Sequence, residues 1–350
     1  MMGKRVGDWY YYSGAIHIHT TESDGTRSLE DVIAIGQRSG LDFMMFSDHM
    51  TLSNRDRNGE GLYGKTLVVI GYEHNDSDDI HHYLLYDVPR VYPVDMTAAE
   101  YVAAGATDGA IGILAHPDEI RNRLERFPAY PWKDWTADGF TGIELWNQMS
   151  EWMEQLTRYN LLLMAFSPRK SMIGPTDRIL KKWDELNMER KVVGIASPDA
   201  HAFQFRIGPF KVEIFPYKVH FRCLRCHIIL PEPMAKEFPV ARRQLYDAIR
   251  DARLYMSNMR WGNVDAFEFY GQNATERVVC GGCLPIDDNT RLLVRTPSRA
   301  TLKLIHNGQI ILQADTDRLE YSVSQPGIYR VEAWKGKRGW IFSNHIRIGV

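Results

Sequence analysis

The sequence predicts an α/β barrel followed by a small antiparallel β sandwich, and three observations carry that expectation. Short, continuous apolar runs alternate with helical stretches from about residue 10 to 255, the pattern of a parallel sheet covered on both faces. Nearly every candidate ligand stands at the C-terminal end of one of these runs, where α/β barrels gather their functional groups. From about Val264 onward helical signals stop, and short strands separated by turn residues take over.

The chain has 350 residues, enough for two domains or for one barrel with an appendage, with boundaries expected at 1–262 and 263–350. Hydrophobic residues make up 44% and charged residues 25%, which supplies ample material for a large core. The formal charge is −2 with both signs interspersed, so no global field invites nucleic acid or an anionic membrane. No apolar run approaches the roughly 18 residues of a membrane span. Met1–Trp9 lacks the apolar segment of a secretory signal, so the expected location is cytoplasmic.

The elements follow in order. Gly14–His19 reads as a strand. Ser28 with Asp31 starts a helix that Gly40 stops. Leu41–Phe46 and Thr66–Gly71 read as buried strands, with a polar loop near 50–65 between them. His81–Tyr86 is a further strand, and Thr97 with Glu100 opens a helix to about Gly105. Gly109–Ala115 and Gly142–Asn147 are strands, followed by helices from about Ser150 to Met164 and from about Pro175. Val192–Ala196 is the next strand, and a helix from about Val240 to Arg253 completes the region. In the tail, 292–294, 301–305, 309–312, 328–334 and 340–348 read as strands, with Asn307-Gly308 as a hairpin turn. Tyr329, Trp334 and Trp340 are its expected core.

The chemistry is concentrated at strand ends. In an extended segment His17 and His19 share one face while Ile16 and Ile18 share the other. Two imidazoles aimed at one point suit a divalent transition metal. Asp24 in a Ser-Asp-Gly turn, His49, Glu73, His82, His116, Asp199 and His201 follow at matching positions. That set exceeds the needs of one ion and fits a two- or three-metal cluster bridged by Glu73 or Asp199. His81 is the rival of His82, which is favoured because it directly precedes an apolar run, and Asp48 is a candidate to orient the His49 ring. Cys223-x-x-Cys226 and Cys280-x-x-Cys283 allow a zinc site or a disulfide; their wide separation weakens the zinc reading, and reduced thiols are expected of a cytosolic protein.

His17-Ile18-His19 through Ser23-Asp24-Gly25, Ser47-Asp48-His49, Gly71-Tyr72-Glu73, Ala115-His116-Pro117 and Asp199-Ala200-His201 resemble the ordered motifs of the PHP (polymerase and histidinol phosphatase) family. The resemblance spans about residues 10–255. It implies a distorted (β/α)7 barrel holding two or three Zn, Mn or Fe ions, and a phosphoesterase activity. Carried over by motif, His17, His19, Glu73 and Asp199 would hold one ion, and Asp24, His49 and His201 a second. His82 and His116 would serve a third, with Glu73 bridging. Pro198 departs from the usual pattern. Gly142–Asn147 and the β-rich tail resemble a branch that includes carbamate- and amide-cleaving enzymes.

The expected reaction is hydrolysis of a small-molecule phosphate ester by a metal-bound hydroxide, with Asp199 or His201 moving protons. Arg121 and Arg123 are the expected phosphate-binding residues, with Arg27 and Lys65 as weaker candidates. The alternative is a carbamate, ester or amide hydrolase on the same scaffold. Oligomeric state is not legible.

Overall fold

The structure, a computed structural model, describes residues 3–120, 128–207 and 210–350. Arg121 and Arg123 lie outside the described residues. The chain is a mixed α/β protein with open sheets.

The N-terminal strands are short, apolar and buried throughout, as a sheet covered on both faces requires. Trp9–Ile18, Phe43–Phe46 and Thr66–Ile70 run parallel to one another. A second sheet, among the described residues, orders its strands as Val193–Ser197, Gly142–Asn147, Ile111–Leu114, His82–Tyr86 and Tyr72–Asn75. Isolated bridges Ile18↔Ala200 and His49↔Glu73 bring the two sheets together at their functional ends. Between Thr66–Ile70 and Tyr72–Asn75 the chain changes sheets at Gly71. A Cβ there would lie 2.0 Å from the Leu85 carbonyl oxygen, so the crossing needs a residue without a side chain.

The sheet is not parallel throughout. His82–Tyr86 pairs antiparallel with both of its neighbours, and Leu224–Leu230 pairs antiparallel with Trp9–Ile18. Only residues 76–81 separate Tyr72–Asn75 from His82–Tyr86, far too few for a parallel crossover, so the chain turns back as a hairpin.

Helices cover the outside. Ser28 caps Leu29–Arg38, accepting the Asp31 amide, and Thr97 with Glu100 forms a complete capping box on Ala98–Thr107. The helix expected over 150–164 is two pieces, Gln148–Glu154 and Leu161–Phe166. Asn160 separates them: its side chain accepts the Thr157 amide at 2.7 Å and donates to the Gln155 carbonyl at 2.9 Å, a local turn that competes with helix. The 50–65 loop contains a helical turn, Ser53–Asp56, and a strand, Gly61–Tyr63, paired with Thr66–Ile70.

Among the described residues of 263–350 there is no helix, and the strands are mostly antiparallel. The runs at 292–294 and 301–305 are one long strand, Arg291–His306, paired with Gln309–Ser322 across Asn307-Gly308, with an irregularity between Arg295 and Ala300. The last run is two strands, Arg338–Ser343 and Ile346–Ile348. Arg338–Ser343 pairs with Leu254–Asn258, so the tail strands continue the sheet that holds Trp9–Ile18. Tyr329 and Trp340 are buried in the tail's apolar cluster, whereas Trp334 packs against the other core.

The four thiols are free. Cys223 and Cys226 belong to the interior cluster and Cys280 to the tail cluster, while Cys283 is exposed. Burial pushes the Cys226 and Cys280 thiols up to about 12, which keeps them protonated and inert.

Candidate metal centre

His17 and His19 reach the centre by a different geometry from simple alternation. The register slips between Ile16 and Ile18, and His17 takes φ +71°, a β-bulge in left-handed backbone. Ile16 and Ile18 therefore pack into different apolar clusters instead of sharing a face. The bulge leaves both imidazoles pointing at one place, with ring centroids 5.0 Å apart. His116 (φ +29°) and Asp199 (φ +48°) also hold non-glycine residues in this costly region. Strain of this kind persists where the surroundings over-determine it, and it clusters at functional sites.

Glu73 is the hub. It is 1% exposed, and its two oxygens face five imidazoles. Oε2 lies 2.9 Å from His17 Nε2, 3.2 Å from His19 Nε2 and 3.7 Å from His49 Nε2. Oε1 lies 2.9 Å from His82 Nδ1 and 3.3 Å from His116 Nε2. Asp199 Oδ1 closes the other side at 3.3 Å from His17 Nε2 and 3.2 Å from His201 Nδ1. Asp24 Oδ2 lies 3.1 Å from His201 Nε2, and its Oδ1 lies 3.5 Å from His19 Nδ1. All nine strand-end residues singled out in the sequence thus meet at one end of the sheets. Of the two adjacent histidines, His82 joins them, whereas His81 turns to Asp76 at 2.7 Å.

Three sets within this cluster have donor atoms close enough to share an ion: His19, Asp24, His49 and His201; His17, His19 and Glu73; and His49, Glu73 and His82. The donor set of imidazoles and carboxylates suits Zn, Mn or Fe. His19 Nε2 and Asp199 Oδ1 are buried and make no hydrogen bond although charged neighbours surround them. Buried polar atoms are otherwise almost always paired. These residues fit a divalent metal site.

Charge in the cluster is mutually held. Burial opposes charge on both kinds of group. For Glu73 the surrounding imidazoles outweigh it and hold the carboxyl well below the usual range. For His17 burial is outweighed by Asp199, Glu73 and Glu144, which hold the ring well above its usual value. The same contest lifts His82 to about 10, through Glu73 and Asp79, and His201 to about 9, through Asp199 and Asp24. His49 goes the other way, pushed by burial to about 4.

Two residues not assigned from sequence support the cluster from beneath. Glu144 Oε1 accepts from His17 Nδ1 at 2.9 Å, and its Oε2 accepts the His116 amide at 2.6 Å. Asn147 donates to both Glu144 Oε2 and Asp199 Oδ2, at 2.8 and 3.1 Å. The signal was a carboxylate and an amide within the otherwise apolar run Gly142–Asn147. Asp48 does not orient His49. Its carboxylate accepts from the Thr20 amide and hydroxyl, Ser23 and Asn54, and so fixes the turn that presents Asp24. Arg27 is paired with Glu213 at 2.6 Å, and neither Arg27 nor Lys65 lines the cavity at the cluster.

Partners that orient a ligating imidazole typically contribute 10–100-fold in metal affinity. Glu144→Gln is therefore expected to weaken Mn or Zn binding by about 10–100-fold with the fold retained. Competition with a chromogenic chelator measures it, and a change under about threefold would show that Glu144 only fills space.

No family model and no curated protein matches the chain. Among solved structures it is similar to a two-domain protein from Bacteroides vulgatus, named as containing a predicted PHP-like metal-dependent phosphoesterase. The identity is 11% and the TM-score 0.47, and 98% of each chain is covered. It is also similar to a Bifidobacterium adolescentis protein with the provisional name metal-dependent phosphoesterase, at 15% identity and TM-score 0.32, covering 53% of this chain and 87% of that one. At these values neither likeness decides the chemistry of the present site.

Proposed function

We propose that this protein is a metal-dependent hydrolase of the PHP type, acting as a phosphoesterase with two or three Zn, Mn or Fe ions. In this reading residues 1–262 form the distorted (β/α)7 catalytic unit and 263–350 a β-sandwich domain. His17, His19, Asp24, His49, Glu73, His82, His116, Asp199 and His201 hold the ions. The observation that carries the proposal is Glu73, whose two buried oxygens each face separate imidazoles, so its carboxylate would serve the ions that those rings would hold.

Bound divalent ions would lower the pKa of water toward neutrality and offset the charge on phosphoryl oxygens. The chain's own residues do the rest. Glu144 and Asn147 fix the orientation of His17 and Asp199. His201 lines the cavity between Asp199 and Asp24, where a leaving oxygen would need a proton. Asp199, with its other oxygen tied to Asn147, holds the complementary negative charge.

The test is direct. Mn- or Zn-loaded protein is expected to cleave 4-nitrophenyl phosphate and to leave 4-nitrophenyl acetate and carbamate intact. The reverse outcome would replace the phosphoesterase with the second reading, a carbamate, ester or amide hydrolase. That reading is favoured by one observation: no Arg or Lys is among the described residues lining the cavity.

Metal loading should also release protons. His17, His82 and His201 hold protons above the ordinary imidazole range, and an ion can bind only the deprotonated rings. Affinity is therefore expected to rise as pH goes from 6 to 9, with roughly three protons released per chain at pH 7, one for each of these rings. Calorimetry in buffers of different ionisation enthalpy counts them. Proton uptake, or affinity that falls with pH, would contradict the assignment.

A further inference from the structure

The cavity at the cluster has a volume of about 530 Å³. Besides imidazoles and carboxylates, its lining carries an apolar set, Tyr130, Met149, Met153 and Phe203. Met149 and Met153 stand four residues apart on Gln148–Glu154, so they share one helix face. The Tyr130 ring stacks on His82 with centroids 4.8 Å apart and planes 22° from parallel. Phe203 packs against the cluster of Met149, Trp152 and Phe215, which seats it on the core.

Resting on the phosphoesterase reading, we propose that the substrate is a phosphomonoester of an apolar, planar alcohol, carrying a single phosphoryl group. Thioether and aromatic surfaces adapt well to a flat apolar group and gain contact energy with ring edges and faces. A second phosphate in this cavity would meet no Arg or Lys among the described lining residues, and Asp24 and Asp79 stand at the same cavity. Burying an unpaired charge there is costly. Water attacks phosphorus, the bond from phosphorus to the ester oxygen breaks, and the alcohol leaves with a proton while inorganic phosphate retains the water oxygen.

The experiment compares kcat/KM of Mn-loaded protein for 1-naphthyl phosphate, glycerol phosphate and a nucleoside bisphosphate. Naphthyl phosphate is expected to lead both others by at least about tenfold. Phe203→Ala and Met153→Ser are each expected to shrink the naphthyl-to-glycerol ratio by roughly tenfold, chiefly through KM. Binding of 1-naphthylphosphonate and methylphosphonate, followed by intrinsic fluorescence, gives a readout without turnover. The naphthyl compound should bind more tightly, and both variants should lose the difference. Phosphatase activity that favours glycerol phosphate or the bisphosphate overturns this proposal and leaves the phosphoesterase standing. Cleavage of acetate or carbamate esters alone overturns both.

Discussion

Replacing Glu73 with glutamine is expected to strip the centre of metal and lower turnover by more than about 100-fold. Groups that merely orient ligands already cost 10–100-fold, and Glu73 lies at the middle of the donor set. The two oxygens of Glu73 serve five imidazoles, and both must accept. An amide offers one acceptor and turns two N–H donors toward rings that need a negative partner. The loss extends to the protein before metal is added. His82 keeps its proton chiefly through this carboxylate, and His17 keeps its own through Asp199 and then this carboxylate. Without it, either a buried positive charge stands unpaired, a loss of about 3–5 kcal/mol, or the rings deprotonate. Elemental analysis, turnover of a nitrophenyl ester and a melting curve with and without chelator read the three consequences. A variant with wild-type metal content and turnover within tenfold would remove Glu73 from the centre.

The positions of the nine clustered residues were legible because eight lie at, or in the turn after, the end of a short apolar run and His82 begins one. The identity of the run says that the strand is buried, and its end says where a polar side chain must emerge. His82 was separable from His81 on that logic alone, since the residue abutting Tyr83–Leu85 is the one drawn in with the strand. The His17 bulge was not legible, because a bulge is a property of two strands and their register. The reversal at 76–81 follows from loop length, and the alternation of apolar runs alone did not reveal it. Glu144 was hidden for a different reason. A single carboxylate in Gly142–Asn147 signals function only once its neighbours in space, His17 and the His116 amide, are known. Likewise the continuity of the tail with Leu254–Asn258 comes from an edge-to-edge pairing between distant segments.

That continuity is reinforced by a buried ionic network, and Asp184→Ala is expected to destabilise the protein by about 3–5 kcal/mol. Asp184, on Asp177–Glu189, accepts from Arg330 Nε at 2.7 Å, Arg330 Nη2 at 2.8 Å and His345 Nε2 at 2.7 Å. Arg330 also donates to Glu332 at 2.6 Å, and all four side chains are nearly inaccessible. Burial raises the Asp184 carboxyl, but its bonds to Arg330 and His345 outweigh this and bring it to about 2. Removing it leaves the guanidinium buried with half its partners. Because the folded pKa is depressed, this stabilisation is present above the unfolded value of about 4 and is lost as pH falls toward 2. The gap between wild type and variant in denaturant unfolding should therefore be constant from pH 5 to 8 and close in acid. Asp184→Leu combined with Arg330→Met and Glu332→Leu should recover much of the loss, since a buried ionic set replaced by apolar groups is often neutral. Nearby, Asn344 bonds both the amide and the carbonyl of Gly194, in the strand that delivers Asp199. The tail thus braces a strand of the metal centre. If Asp184→Ala melts with the wild type, the network carries no net stability and the bracing rests on Asn344 and the apolar contacts alone.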